Sequence, residues 1–235
     1  MPKSIIYKAE NGSYTSVTNL VYDGNKILSI SNKNKRNDYQ YEGDKIVKEI
    51  QYNYESGKEV KILETSFTYE NDKLIVVNKI SERIQFKYLY SYNEDGTITR
   101  EIYEVDSKTG KELKRNANEV LTFTEGNLTK RESYYVSDSV STVETLLYRY
   151  DTSNSAFKNV SGIKYLLGEA SFDSVGSFSP INNLKETIHY TTYQSDYTIN
   201  DYVSGFKYEY NKEGYPTKKI IFALDNLNEI IEYNY

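Results

Sequence analysis

The chain reads as all-β: a long antiparallel meander of sequential hairpins that forms a curved, partly open sheet, with one short helix in an insertion. Three observations predict this. A short string recurs, as "YDGNKI" at Tyr22, "YEGDKI" at Tyr41 and "YENDKL" at Tyr69. The segments around it alternate apolar and polar residues. And 26 of the 235 residues are Tyr, which favours half-buried strand surfaces where the ring packs and the hydroxyl reaches water.

The hairpins come first. Tyr22 precedes Ile27 by five residues, as Tyr41 does Ile46, Tyr69 does Leu74, Phe123 does Leu128 and Tyr210 does Tyr215, while Tyr92 to Ile98 is one residue longer. A spacing of five fits a two-residue turn. With Gly24-Asn25 as the turn, Asp23 and Lys26 close it, and Tyr22 and Ile27 form the next cross-strand pair. The same register sets Glu42 against Lys45 and Glu70 against Lys73, pairs of opposite charge that each favour it by about 0.2–1 kcal/mol. Gly, Asn and Asp tolerate the positive φ of a type I′ turn. Lys212-Glu213 is a poorer turn pair and predicts a longer loop with Gly214 left-handed.

The strands follow. Tyr39-x-Tyr41, Phe67-x-Tyr69, Tyr90-x-Tyr92, Leu121-x-Phe123, Tyr148-x-Tyr150 and Tyr208-x-Tyr210 precede turns, and Ile46-x-Lys48-x-Ile50-x-Tyr52-x-Tyr54 follows one. Return connections read at 32–38, 55–59 and 106–112. Several strands carry charge on both faces: Arg100 and Glu104 share a face with Ile98 and Ile102, and Glu101 lies opposite with Tyr103. A sandwich or filled barrel wants one clean apolar face per strand. A membrane barrel wants an apolar outer band, in which each charge costs a few kcal/mol. The expectation is therefore an extended or partly curled sheet, wet on much of both faces, in one domain spanning 1–235.

The rhythm breaks at about 151–187, a Ser-, Asn- and Gly-rich stretch. Within it "SGIKYLLG" predicts one or two helical turns, with Ser161 as N-cap, Gly168 past the C-end, and Ile163, Leu166 and Leu167 buried. Such a loop either plugs the concave side of the sheet or contacts a ligand.

Composition sets outer limits. Net charge is −5, with both signs interspersed, against the basic face a nucleic-acid partner needs. Mean hydropathy is −0.70, and no apolar run is long enough for a transmembrane helix. The regular aromatic and β-branched residues oppose disorder. "MPKSIIYKAENGSYTS" has no apolar core of a signal peptide. The absence of Cys removes disulfides, thiolate metal sites and a Cys nucleophile.

Catalytic motifs are missing. His189 is the one histidine, and in a strand it reads as a ladder residue. No nucleophile elbow, P-loop or dinucleotide fingerprint occurs, and no catalytic, cofactor or metal residue is assigned. Carboxylates are plentiful, which leaves a glycoside hydrolase open, although most sit at hairpin-closing positions or beside Lys. One candidate site remains, an aromatic face of Tyr39, Tyr41, Tyr52, Tyr54, Tyr90, Tyr92, Tyr208 and Tyr210, to stack on a glycan or grip a peptide or lipid. The competing role of these rings is packing on one another.

The Tyr-x-Tyr-(Asp/Asn)-x-x-Gly strings, nearest in "YEYNKEGYPTKKI" (208–220), resemble the YD repeats of large secreted bacterial Rhs-type proteins. A more specific combination joins such hairpins to Tyr150-Asp151, Phe157-Lys158-Asn159-Val160, Gly162 and Leu166-Leu167, followed by "SPINNLKE" (179–186). It resembles a family of small bacterial envelope proteins and lipoproteins of unknown function with a porin-like fold. The resemblance runs from about residue 18 to the end. It implies a curved antiparallel sheet, export, attachment through a cysteine absent here, and no catalytic residue. The functional expectation is a non-catalytic envelope binding or scaffolding module, periplasmic or anchored at the outer membrane after leader removal. The cytoplasm stays open as a location. The alternatives are a periplasmic carrier or assembly factor for an amphipathic cargo and a carboxylate-based hydrolase.

Overall fold

The computed structural model describes residues 1–9, 12–137, 140–169, 172, 180–193, 197–223 and 226–235. Among them sixteen strands close into one antiparallel barrel. The first eight are β1 Ser4–Ala9, β2 Thr15–Asp23, β3 Lys26–Ser31, β4 Lys35–Glu42, β5 Lys45–Glu55, β6 Lys58–Glu70, β7 Lys73–Ile80 and β8 Gln85–Tyr92. The rest are β9 Ile98–Val105, β10 Glu112–Thr124, β11 Asn127–Ser137, β12 Val140–Asn154, β13 Asn182–Tyr193, β14 Tyr197–Tyr210, β15 Pro216–Ala223 and β16 Asn226–Asn234. Each pairs with the next, and β1 pairs with β16 through Ile5 opposite Tyr233 and Tyr7 opposite Ile231. The expected meander is there, but the partly open sheet is not: the first and last strands meet, and closure leaves no free edge.

The hairpin register holds. Tyr22 faces Ile27, Tyr41 faces Ile46, Tyr69 faces Leu74, Phe123 faces Leu128 and Tyr92 faces Ile98. Tyr210 instead faces Pro216, because the loop before it is longer and Gly214 is left-handed at φ 77°. Asn71 and Asp72 both have positive φ, as type I′ requires, whereas at the first two turns only Gly24 and Gly43 do, the type II′ pattern.

A β-bulge follows most of these turns. Tyr41 pairs with Ile46 but Gln40 pairs with Lys48, so Val47 is the extra residue; Leu28 and Ile75 are its counterparts in the first and third strings. One extra residue exchanges the faces of everything beyond it. Glu49 and Gln51 therefore point into the barrel, and Tyr52 and Tyr54 point out.

The tyrosines nearest the turns then tie neighbouring hairpins together. The Tyr69 hydroxyl donates to the Ile46 carbonyl (2.8 Å), Tyr92 to Leu74 (3.2 Å), Tyr150 to Leu128 (2.7 Å) and Tyr208 to Leu184 (2.8 Å). The Tyr41 hydroxyl accepts from the Ile27 N–H at 3.0 Å. Burial pushes the Tyr41 phenol up to about 12, so it stays neutral and able to take part.

Sixteen strands enclose a lumen too wide for wall side chains alone to fill. The chain fills one end of it with its own insertion. Ala156, Phe157, Val160, Ile163 and Leu166 are buried against Ile27, Ile46, Leu74, Leu128 and Leu184. The Ser161 N–H donates to the Asn25 carbonyl (2.8 Å), and Gly162 lies so close to strand β5 that a Cβ there would meet the Asp44 carbonyl at 2.7 Å. The expected helix is a correction: Ile163–Tyr165 makes a single 3₁₀ turn. Gly162, Leu167 and Gly168 all have positive φ, which an α-helix does not tolerate. Ile163 and Leu166 are buried as expected. Residues 170, 171 and 173–179 of the insertion lie outside the described residues.

Candidate functional site

Beyond the plug the lumen is polar. Glu169, from the end of the plug, reaches the wall, where Lys79 of β7 pairs with it at 2.8 Å and Arg100 of β9 in close contact. The Tyr90 hydroxyl donates to the same carboxylate at 2.6 Å. Burial raises the Glu169 pKa, but Arg100 and Lys79 outweigh it and hold the carboxyl at about 2. The other fork of Arg100 pairs with Glu119 of β10, whose second oxygen accepts from Ser133 at 3.3 Å. This cluster is the plug's anchor. It also explains how inward charges coexist with a closed barrel: they compensate one another, as buried charges must.

A second inward carboxylate lies on β5, two strands from β7 and Lys79. Glu49 is buried, and one of its oxygens accepts from Asn37 (2.8 Å), Gln51 (3.2 Å) and Tyr39 (3.3 Å). Burial raises its pKa, and among the described residues no cation hydrogen-bonds to it to reverse that.

Next to Glu49 the lumen holds a cavity of about 200 Å3 toward the mouth opposite the plug, bounded by strands β1–β4, β16 and Phe172. Its floor is Tyr7, Thr18, Ile30 and Phe172; Ser16, Asn32 and Asn37 form the wall, and Tyr14, Lys35 and Glu229 the rim. Phe172 is fixed between Tyr39 (centroids 5.3 Å) and Phe157 (5.4 Å).

The eight candidate tyrosines do not share one face. Tyr39 and Tyr90 are buried inside, Tyr41, Tyr92 and Tyr208 pack on the core, and Tyr210 stacks on Tyr208 at 6.0 Å at the plug end. Tyr52 lies outside under the Arg36 guanidinium at 4.8 Å, with Tyr54 on the same side. His189 is a ladder residue between Leu146 and Tyr202. The residues that line the cavity escaped notice because Ser, Asn and Lys on an alternating strand carry no motif. Glu169 left only a faint signal, a lone acid directly after Gly168.

Outside, ion pairs cross between strands on all sides: Lys8–Glu232 at 2.7 Å, Lys48–Glu64 at 2.9 Å, Lys87–Glu112 at 2.8 Å, Arg149–Glu186 at 2.7 Å and Lys218–Glu209 at 2.9 Å. Exposed apolar residues gather at the mouth, with Ile80, Ile84, Leu113, Tyr134, Val136 and Tyr193 near strand ends there.

No family model matches the chain. No curated protein matches it either. Among solved structures it is similar to a porin-like protein from Bacteroides uniformis, at 11% identity and a TM-score of 0.47, covering 99% of this chain and 97% of that one. It is also similar to a protein of unknown function from Bacteroides fragilis, at 13% identity and a TM-score of 0.15, covering 75% and 81%.

Proposed function

We propose that the chain is a non-catalytic cell-envelope binding module, a rigid barrel stoppered at one end by its own insertion and taking a small polar ligand at the other. The observation that carries this is the cavity beside Glu49, which combines a pinned aromatic floor with amide and hydroxyl groups, the usual make-up of a small-molecule site. A transmembrane pore fits poorly, because outward ion pairs would cost about 2–4 kcal/mol per cation at the bilayer midplane, and the plug occupies the lumen. A glycosidase needs a carboxylic acid with a raised pKa beside a second carboxylate; Glu169 and Glu119 converge, but on Arg100, which lowers Glu169 instead.

The exposed apolar residues along the mouth between β7 and β13 favour a second reading, a carrier for an amphipathic cargo. The two separate in one set of assays. The binding module stays in the aqueous phase on detergent phase separation, adds no conductance to planar bilayers, and leaves the fluorescence of anilinonaphthalene sulfonate unchanged while folded. Strong dye binding by the folded protein supports the carrier instead, and single-channel steps overturn both. Fractionation of cells expressing the full reading frame tests the envelope location, and recovery in the cytosol refutes it.

A further inference from the structure

We infer that the mouth cavity takes one sugar ring, held by vicinal hydroxyls against Asn32 and Asn37 above an apolar floor that includes Phe172 and Tyr7; the inference rests on the binding-module reading and names its ligand. The two amides are each locked by a different neighbour. Asn32 Oδ1 accepts from the backbone N–H groups of Asn34 (2.8 Å) and Lys35 (3.0 Å). Its amide nitrogen lies 3.5 Å from Thr18 Oγ1 and keeps a second hydrogen to donate. Asn37 is fixed the opposite way: its nitrogen donates to Glu49 at 2.8 Å, which leaves its Oδ1 to accept. One wall thus presents a fixed donor and a fixed acceptor.

Two adjacent hydroxyls, each able to give and take a hydrogen bond, satisfy that pair together. A single ammonium or carboxylate satisfies only half of it. The hydroxyl of Ser16 extends the polar wall. The floor is rigid: Phe172 and Tyr7 are almost fully buried and show the cavity only a small part of each ring, and Phe172 is held by Tyr39 and Phe157, so the shape of the site is pre-formed. At about 200 Å3 the space suits one ring and not a lipid chain or a folded peptide.

The test is saturation-transfer NMR and calorimetry on the intact protein. The probes are glucose, galactose, mannose, rhamnose, N-acetylglucosamine and glucuronic acid, with glycylglycine and decanoate as the other chemistries. At least one sugar is expected to bind, with Kd on the order of millimolar or tighter. Ser16→Leu, at a partly buried wall position, fills the space and is expected to weaken that binding at least tenfold with the melting temperature held. Asn37→Ala is the second variant and is expected to weaken binding as much, with a lower melting temperature because Glu49 loses a hydrogen bond. Sugar binding that survives both variants overturns the assignment. Binding of glycylglycine or decanoate alone, sensitive to Ser16→Leu, overturns the sugar while leaving the binding module standing. No probe sensitive to either variant overturns both.

Discussion

Glu169→Gln isolates the anchor of the plug. The carboxyl is held at about 2 against an ordinary 4.5, and at about 1.4 kcal/mol for each tenfold change in proton affinity this corresponds to about 3 kcal/mol of stability. The sign follows from the direction. A depressed carboxylate contributes fully above its unfolded pKa near 4.5 and loses the contribution as pH falls toward about 2. The amide keeps the shape and an acceptor for Tyr90 but leaves Lys79 facing no carboxylate at that position and Arg100 sharing only Glu119. Removing one partner of a buried pair costs about 3–5 kcal/mol, in line with the titration figure. Urea unfolding at pH 7 is therefore expected to show Glu169→Gln less stable by about 3 kcal/mol, equivalent to a melting temperature lower by roughly 6–12 °C. The same comparison at pH 4.5, 3.5 and 2.5 is expected to show the gap narrowing steadily. A gap under about 1 kcal/mol at pH 7, or one that stays constant down to pH 2.5, refutes the reasoning.

Four further outcomes follow from the same packing. Tyr69→Phe removes a buried hydroxyl that serves the Ile46 carbonyl and is expected to cost about 1–2 kcal/mol in urea unfolding. Tyr22→Phe is expected to be neutral or slightly stabilising, because the Tyr22 hydroxyl is buried without a hydrogen-bond partner among the described residues. Gly162→Ala drives a methyl into the Asp44 carbonyl at a left-handed position. It should cost about 1–3 kcal/mol and speed proteolysis between residues 151 and 181. Glu49→Gln removes a carboxylate whose pKa is raised by burial, so the variant is expected to be more stable than the parent at pH 8, with the difference vanishing at pH 4. Equal stability at both pH values counts against a buried Glu49 charge.

The local half of this fold was legible in the chain. Tyr41 opposite Ile46 and Glu42 opposite Lys45 needed only a turn length and the chemistry of positive φ. What lay past each turn was not. Strict alternation from Ile46 places Tyr52 and Tyr54 on the inner face, and the bulge at Val47 reverses both, because a single extra residue changes parity without changing composition. Charge on both faces argued against a closed barrel. That argument assumed a lumen that must be apolar, whereas Arg100 and Lys79 are matched there by Glu119 and Glu169, the second of which lies 69 residues beyond Arg100 in the chain. Closure itself left no trace, since nothing in Ile5 or Tyr7 names Tyr233 as a neighbour. The cavity was hidden for a related reason: Ser16, Asn32, Asn37 and Glu229 are ordinary strand and loop residues until β2, β4, β16 and the loop after β3 bring them together.

The seam between β1 and β16 makes closure of the barrel depend on its last strand. Fifteen of the sixteen ladders join consecutive strands and need only one hairpin to close, whereas the last joins β1 to residues 226–234. Until that ladder forms, the sheet exposes two bare edges, each a template for pairing with another copy. A chain that stops even one strand early keeps both edges for its lifetime. Premature termination near residue 225 is thus expected to yield aggregates rather than a slightly weaker barrel.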